Sequence, residues 1–332
     1  MRLLPFLLPL CCLVSDEHEL RYAPPAGTVC ARTFTYTSAL EGGELEVVMD
    51  GQDVPSEYLP ELAISASTTH AITFTDRLLA VAGGQPTRLV RTFDAATSAF
   101  RMTVDMGDGG APREVDVSAT SPLVGHAVDF TRDAEGAVRA TFAQGDRGGD
   151  LGWLAALVEP GDLRGLLPPA PVARGARWVV AGAELGALFA PGGDLAFVWT
   201  GDGAEEMQVE ETRPLTGELE LTLRALERRG GRELARVGLA GRVERVTLAS
   251  GDLEHVPVAG GTTTETTTAT HELEGELWID PATGLVHELE LAARATLRIR
   301  TVKDAHEPGP AFESTVSLAG ECTFGLQLEL RE

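Results

Sequence analysis

The sequence predicts a mainly β fold, in which long, curved antiparallel strands form an open barrel or two stacked sheets with one short central helical segment. Three observations carry this expectation. From Phe312 to Leu330 apolar and polar side chains alternate with a period of two, a rhythm that only an extended strand with one dry face satisfies. Residues 285–301 repeat it, with Leu289, Leu291, Ala293, Ala295, Leu297 and Ile299 on one side and Glu288, Glu290, Arg294, Arg298 and Arg300 on the other. Glycine-rich and aspartate-rich turn signals separate the remaining apolar runs, as in a chain of hairpins.

The chain begins Met1-Arg2, followed by an apolar run from Leu3 to Val14 that ends at Ser15 before Asp16-Glu17-His18-Glu19. Such a run is shorter than the ~20 residues a membrane-spanning helix needs, and it suits the apolar part of a secretory signal. Pro5 and Pro9 argue against a buried helix. Residues 1–15 therefore read as a signal peptide, 16–27 as an N-terminal linker, and the protein as exported, periplasmic or extracellular. Cleavage at Ala23 or Ala26 is the alternative. Leu8-Pro9-Leu10-Cys11 resembles a lipobox loosely, although Leu10 stands where a small residue is wanted, so both ordinary cleavage and a lipoprotein anchor remain open.

Residues 28–332 read as a single elongated β domain. Its first half is 28–145, a helical and proline-rich connection occupies 146–175, and the second half is 176–332. Strands are expected at 32–40, 44–49, 69–81, 86–93, 114–117, 126–132 and 137–142, then at 194–200, 205–212, 218–226 and 236–248. Glu41-Gly42-Gly43, Gly83-Gly84, Asp133-Ala134-Glu135-Gly136 and Arg229-Gly230-Gly231 read as turns. In 236–248 the apolar phase slips from Val237-Leu239 to Val246-Leu248, which predicts a bulge near Glu244. The last strand is long enough to predict a bend near Gly320 or Gly325. Asp280-Pro281-Ala282-Thr283-Gly284 reads as a hairpin turn, and Asp94-Ala95-Ala96-Thr97 as its fainter echo, suggesting two related hairpins from a duplication. The helix is expected at Asp150, an N-cap followed by Leu151, Leu154, Leu157 and Val158 before Pro160-Gly161, with a second turn at 162–167.

The export signal, the Pro168-Pro169-Ala170-Pro171-Val172-Ala173-Arg174-Gly175-Ala176-Arg177-Trp178 segment and the Gly275-Glu276-Leu277-Trp278-Ile279-Asp280 hairpin together resemble a loosely defined group of bacterial exported β-rich proteins of unknown function. That group carries Gly-Asp before the tryptophan, where this chain has Gly175-Ala176. The resemblance implies a shape similar to lipoprotein-carrier half-barrels, which hold acyl chains on a concave face. It implies no catalytic residue.

A net charge of −23 excludes nucleic acid as a natural partner, because a polyanionic surface repels phosphates. Cys30 and Cys322 remain after processing and are expected to pair in an oxidising compartment, with two separate buried thiols as the alternative. Closing so long a loop would add about 4–5 kcal/mol on the chain-entropy model. The seven histidines show no metal-ligand spacing. His271 and His287 fall on the inward side of opposite arms of the late hairpin, where burial and hydrogen bonding explain them better than a metal. Asp105-Met106-Gly107-Asp108-Gly109-Gly110 lacks the ligand pattern of a calcium loop and reads as a hairpin turn. The Gly260–Thr270 stretch reads as a solvent-facing strand.

No nucleophile elbow, phosphate loop or dinucleotide fingerprint is present. No catalytic, metal or cofactor residue is assigned, and the protein is expected not to be an enzyme. A hydrolase using paired carboxylates is the weakest alternative. A transmembrane barrel is disfavoured by the 5% aromatic content, too low for interfacial girdles. Two readings remain. In the first the protein is an envelope binding module whose inward face, Leu289, Leu291, Leu297, Ile299, Val316, Leu318, Phe324 and Leu326, holds an apolar molecule or lipid. In the second that face packs shut, making a structural or interaction module for an envelope protein partner.

Overall fold

Alternating side chains become long strands that share one sheet. A computed structural model describes residues 17–107, 109–145, 149–159, 162–204, 211–251, 263–303 and 311–331. The signal segment, with Cys11, Cys12 and the cleavage site at Ser15, lies outside the described residues. So do Asp108, Pro160, Gly161, His255, the start of the threonine-rich stretch and His306.

In chain order the strands are β1 (Glu17–His18), β2 (Val29–Met49), β3 (Gln52–Asp53), β4 (Ala63–Ala82), β5 (Gln85–Asp105) and β6 (Arg113–Thr120). They continue as β7 (Ala127–Arg132), β8 (Val138–Phe142), β9 (Val172–Ala173), β10 (Arg177–Ala181), β11 (Val198–Asp202) and β12 (Glu211–Thr212). The last five are β13 (Thr216–Arg229), β14 (Arg232–Gly251), β15 (Thr263–Ile279), β16 (Val286–Lys303) and β17 (Phe312–Arg331). Strand accounts for 66% of the described residues.

The main sheet has the order β10-β13-β14-β15-β16-β17-β2-β4-β5-β6-β11, and all its ladders are antiparallel. The first and last strands of this sheet in chain order, β2 and β17, thus meet in its middle. The two edges, β10 and β11, do not pair with each other. Residues 182–197 connect them in the chain, and side chains from β4, β5, β13 and β16 join one apolar cluster, so the sheet curves without closing into a barrel. The side chains of Leu154, Leu163 and Leu166 from the central connection, and of Leu185, Leu188 and Leu195 from the 182–197 link, pack with the inward row of the sheet into one apolar cluster. Trp178 Nε1 donates to the carbonyl of Leu166 at 2.9 Å, tying the proline-rich segment to that core.

Several local expectations are corrected by the register. Glu41-Gly42-Gly43 is not a turn. It lies inside β2, where Ser317 pairs with Glu44 and Leu318 with Gly42, so Gly43 is the extra residue of a bulge. Its φ of 139° and the carbonyl of Leu62 beside it leave no room for a Cβ. This bulge, rather than one at Gly320 or Gly325, absorbs the length of β17. Asp94-Ala95-Ala96-Thr97 is likewise no hairpin turn. Asp94 is bulged out between Phe93 and Ala95 on β5, at the point where that strand exchanges β7 for β6 as its neighbour. Only Asp280 to Gly284 turns the chain, with Gly284 N–H donating to the Asp280 carbonyl at 2.7 Å.

The helix expected at Asp150 is a single 3-10 turn, Leu151–Leu154, capped by an Asp150 carboxylate that accepts from Gly152 N–H at 2.8 Å. So short a run cannot repay helix nucleation, and the Val158 N–H bonds instead to the Gly192 carbonyl at 2.8 Å. The helical residues lie later, as the 3-10 turn Gly182–Leu185 running into α1 (Gly186–Phe189). Residues 17–27 are not a free linker either. Leu20 and Tyr22 are buried, and Ala23 N–H donates to the Thr283 carbonyl at 2.8 Å.

The disulfide is also corrected. Cys30 and Cys322 lie on neighbouring strands as expected, but Cys322 pairs with Ser38 and Cys30 with Leu330. The eight residues from Cys30 to Ser38 place the sulfurs about 26 Å apart along the strand at ~3.3 Å per residue, beyond any disulfide. Both are free, buried thiols.

Candidate functional site

The concave face is organised in rows that run across the strands. One row reads Leu239, Gly275, Leu291, Phe324, Tyr36, His70, and the next Gly241, Leu273, Ala293, Cys322, Ser38, Thr68. A third reads Val243, His271, Ala295, Gly320, Leu40, Ala66, and a fourth begins Arg245, Ala269, Leu297, Leu318. Toward the third and fourth rows the inward side chains shrink to Ala66, Ala269 and Ala295. The sheet there cannot fill its own interior, and a cavity of about 280 Å³ opens, with Tyr36, His70, Phe189, Arg245, His271 and Phe324 on its wall.

Aromatic rings floor this cavity. Phe189, the last residue of α1, lies 4.8 Å from the Phe324 ring and 5.1 Å from that of His271, and Tyr36 stacks on His70 at 5.5 Å. A second cavity of about 120 Å³ lies beyond, among Phe34, Ile72, Leu188 and Leu195, and shares Tyr36, His70 and Phe189 with the first. Phe189 thus stands between two voids. A larger furrow of about 620 Å³ at Gly42 to Leu45 and Leu59 to Ala63 opens on the surface, with exposed Glu44 and Glu61 on its rim. Its volume exceeds that of the interior site, but it encloses no cluster of side chains.

The polar groups of the cavity are few and electrically unusual. Arg245 is half-buried, and no carboxylate among the described residues pairs with it. Burial pulls its pKa below the ordinary range, although a guanidinium stays charged in a protein. Burial, with the nearby Arg245 charge adding to it, lowers the pKa of His271 to about 4 and also lowers that of His70. Both imidazoles are therefore neutral near pH 7. His271 Nδ1 is buried with no hydrogen-bond partner. Burial pushes the Tyr36 hydroxyl and the Cys322 thiol above their usual pKa values, and Tyr36 Oη lies 3.7 Å from Cys322 Sγ. Neither is activated as a nucleophile.

Why Arg245 faces inward is a matter of strand continuity. The β14–β15 ladder runs without a break from Ala235 opposite Ile279 to Gly251 opposite Thr263, so the bulge expected at Glu244 is absent. Parity carries Val237, Leu239 and Val243 inward and then, unbroken, Arg245 and Thr247. Val246 and Leu248 consequently face outward. The phase slip in the sequence marks a strand whose inner face turns polar.

A second polar cluster lies deeper, under the central connection. Asp76 accepts from Arg32 Nη1 at 2.6 Å and from Arg91 Nε at 2.7 Å, and Arg91 donates to the carbonyls of Val158 and Glu159 at 3.1 and 2.9 Å. Glu159 pairs with Arg132 at 2.6 Å and Arg164 at 2.8 Å, and Arg164 pairs with Asp162 at 2.8 Å. The Arg91 guanidinium lies 3.9 Å from the Phe74 ring centroid. Here every carboxylate has arginine partners, and the network ties β2, β4, β5 and β7 to residues 158–164. Despite burial, the surrounding guanidiniums hold Asp162 below the usual carboxylate range.

The sequence-derived apolar face is divided between closed core and cavity. Leu289, Leu291 and Leu326 are buried in the core, Phe324 belongs to both, and Leu297 lines the cavity. Leu318 is buried beside the cavity, whereas Ile299 and Val316 are half-buried further along the sheet. His271 pairs with Ala295, while Glu288 pairs with Trp278, so His271 and His287 sit at different levels of the hairpin and do not face each other. Sequence reasoning missed Arg245, Tyr36, His70 and Phe189.

No family model and no curated protein matches the chain. Among solved structures it is similar to an outer membrane channel from Pseudomonas putida F1, with 11% identity, TM-score 0.21 and coverage of 91% of this chain and 97% of that one. It is also similar to the InvG secretin-domain β-barrel of the Salmonella SPI-1 injectisome, with 9% identity, TM-score 0.15 and coverage of 92% and 64%. At these scores the likeness does not amount to a shared fold.

Proposed function

We propose that the chain is an exported, non-enzymatic protein of the cell envelope whose concave β-face holds an apolar or lipid ligand. The observation that carries this reading is the cavity beneath Ala66, Ala269 and Ala295. Protein interiors are ordinarily packed without voids of this size, and a concave, largely apolar hollow with a few convergent polar groups is the usual form of a small-molecule site. A structural module with a closed core would carry larger side chains in that row.

Export is supported by the apolar run Leu3 to Val14. Between the second and third inward rows, the opposite face of the sheet carries the row Arg242, Glu272, Arg294 and Glu321, which suits a wet outer surface. Against hydrolysis, the buried carboxylates Asp76, Glu159 and Asp162 are each tied to arginine and lie outside the cavity.

The test is native mass spectrometry of the protein purified from the cell that exports it, followed by organic extraction. The expected result is a bound apolar molecule released on unfolding. A protein that arrives empty, and that takes up nothing from total lipid extract, would overturn the reading.

A further inference from the structure

We infer that the ligand is a single-chain amphiphile with an anionic headgroup, which pairs with Arg245 while its chain lies along Leu297, Phe324 and Phe189. This deepens the proposed binding function and rests on it.

Acidic side chains outnumber lysine and arginine by 50 to 27, so an arginine needs little luck to find a partner. The buried arginines Arg32 and Arg91 share Asp76, and the partly buried Arg132 and Arg164 reach Glu159. Arg245 is half-buried, yet among the described residues it faces only Ala269 across the ladder and, around the cavity, Tyr36 and two neutral histidines. A cation held out of water without a counter-charge is costly, and a bound anion would relieve that cost with charge-assisted hydrogen bonds. The unpartnered His271 Nδ1 points to the same place, since a ligand oxygen or hydroxyl in the cavity would give it a partner.

Size selects the rest of the ligand. At about 280 Å³ the cavity is at the small end of the ~300–1,000 Å³ range of ligand sites. One chain suits that space, and a two-chain phospholipid does not. Beyond the headgroup Leu297, Phe189, Phe324 and Ala295 offer contact to methylene groups, beside the small polar side chains of Ser38, Thr68 and Thr296.

The delipidated full-length exported protein is titrated by calorimetry with hexadecanoate, hexadecyl phosphate and hexadecan-1-ol. The two anions are expected to bind at least tenfold more tightly than the alcohol. Arg245→Gln should reduce both anions to the level of the alcohol while leaving the alcohol unchanged, and Arg245→Lys should restore part of the difference. Circular dichroism confirms that each variant is folded. A stronger response to hexadecyl phosphate than to hexadecanoate would assign a phosphate headgroup, and the reverse a carboxylate, either of them supporting the inference. Equal binding of acid, phosphate and alcohol, unaltered by Arg245→Gln, would overturn the anionic headgroup while leaving the apolar site standing. Binding of none of the three would remove the site altogether.

Discussion

Arg245 stands directly opposite Ala269 in the β14–β15 ladder, a guanidinium facing a methyl group on the concave side of the sheet. An unpaired charge at such a position lowers stability in the empty protein. Arg245→Leu is therefore expected to raise the stability of the ligand-free chain by about 1–2 kcal/mol, because it exchanges an uncompensated cation for an apolar side chain that fills part of the hollow. Thermal unfolding of the delipidated variant checks this. A lower midpoint would mean that Arg245 serves the fold.

His271 makes stability depend on pH in a defined window. Its folded pKa of about 4 lies below the ordinary 6.5. Between these values the unfolded chain binds a proton that the folded chain refuses, so stability is complete above about pH 6.5 and falls progressively toward pH 4, by up to about 3 kcal/mol. His271→Leu should flatten this part of the curve. Proton magnetic resonance of the imidazole should in addition report an upward pKa shift when hexadecanoate is bound, since an anion beside Arg245 cancels the charge that helps keep the ring neutral.

Asp76 is the shared acceptor of two buried guanidiniums, Arg32 and Arg91. Asp76→Asn keeps the shape and removes the charge, leaving two cations inside the fold. The expected loss is about 3–5 kcal/mol, measured by urea unfolding. Because the neighbouring Asp162 has a depressed pKa, the stability it contributes is present above the usual carboxylate range and disappears as the pH drops through its folded value. The variant should therefore unfold at a higher pH than the parent during acid titration.

The architecture was legible in the sequence because each long strand has one dry face. Phe312 to Leu330 and residues 285–301 reveal β17 and β16 almost to the residue. What misled was local chemistry. Glycine at 42 and 43 and Asp94 carry turn signals, yet both places are bulges inside strands of more than twenty residues, held open by pairing on both sides. The site was hidden for a related reason. A change of apolar phase at Val246-Leu248 fits either an inserted residue or an inner face that becomes polar, and only the register of β15 distinguishes them. The small side chain at Ala295 was visible, but it becomes part of a cavity only when Ala66 joins its row and Ala269 stands in the next. Phe189 could not be located from periodicity, since α1 is a single turn.

The central claim is that the hollow beneath the small residues is where the ligand sits, and filling it tests that most directly. Ala269→Leu with Ala295→Leu should change stability by no more than about 1–3 kcal/mol, because both side chains grow into empty space. Uptake of hexadecanoate, followed by native mass spectrometry, is predicted to fall at least tenfold in this folded variant. Uptake equal to that of the parent protein would contradict the account.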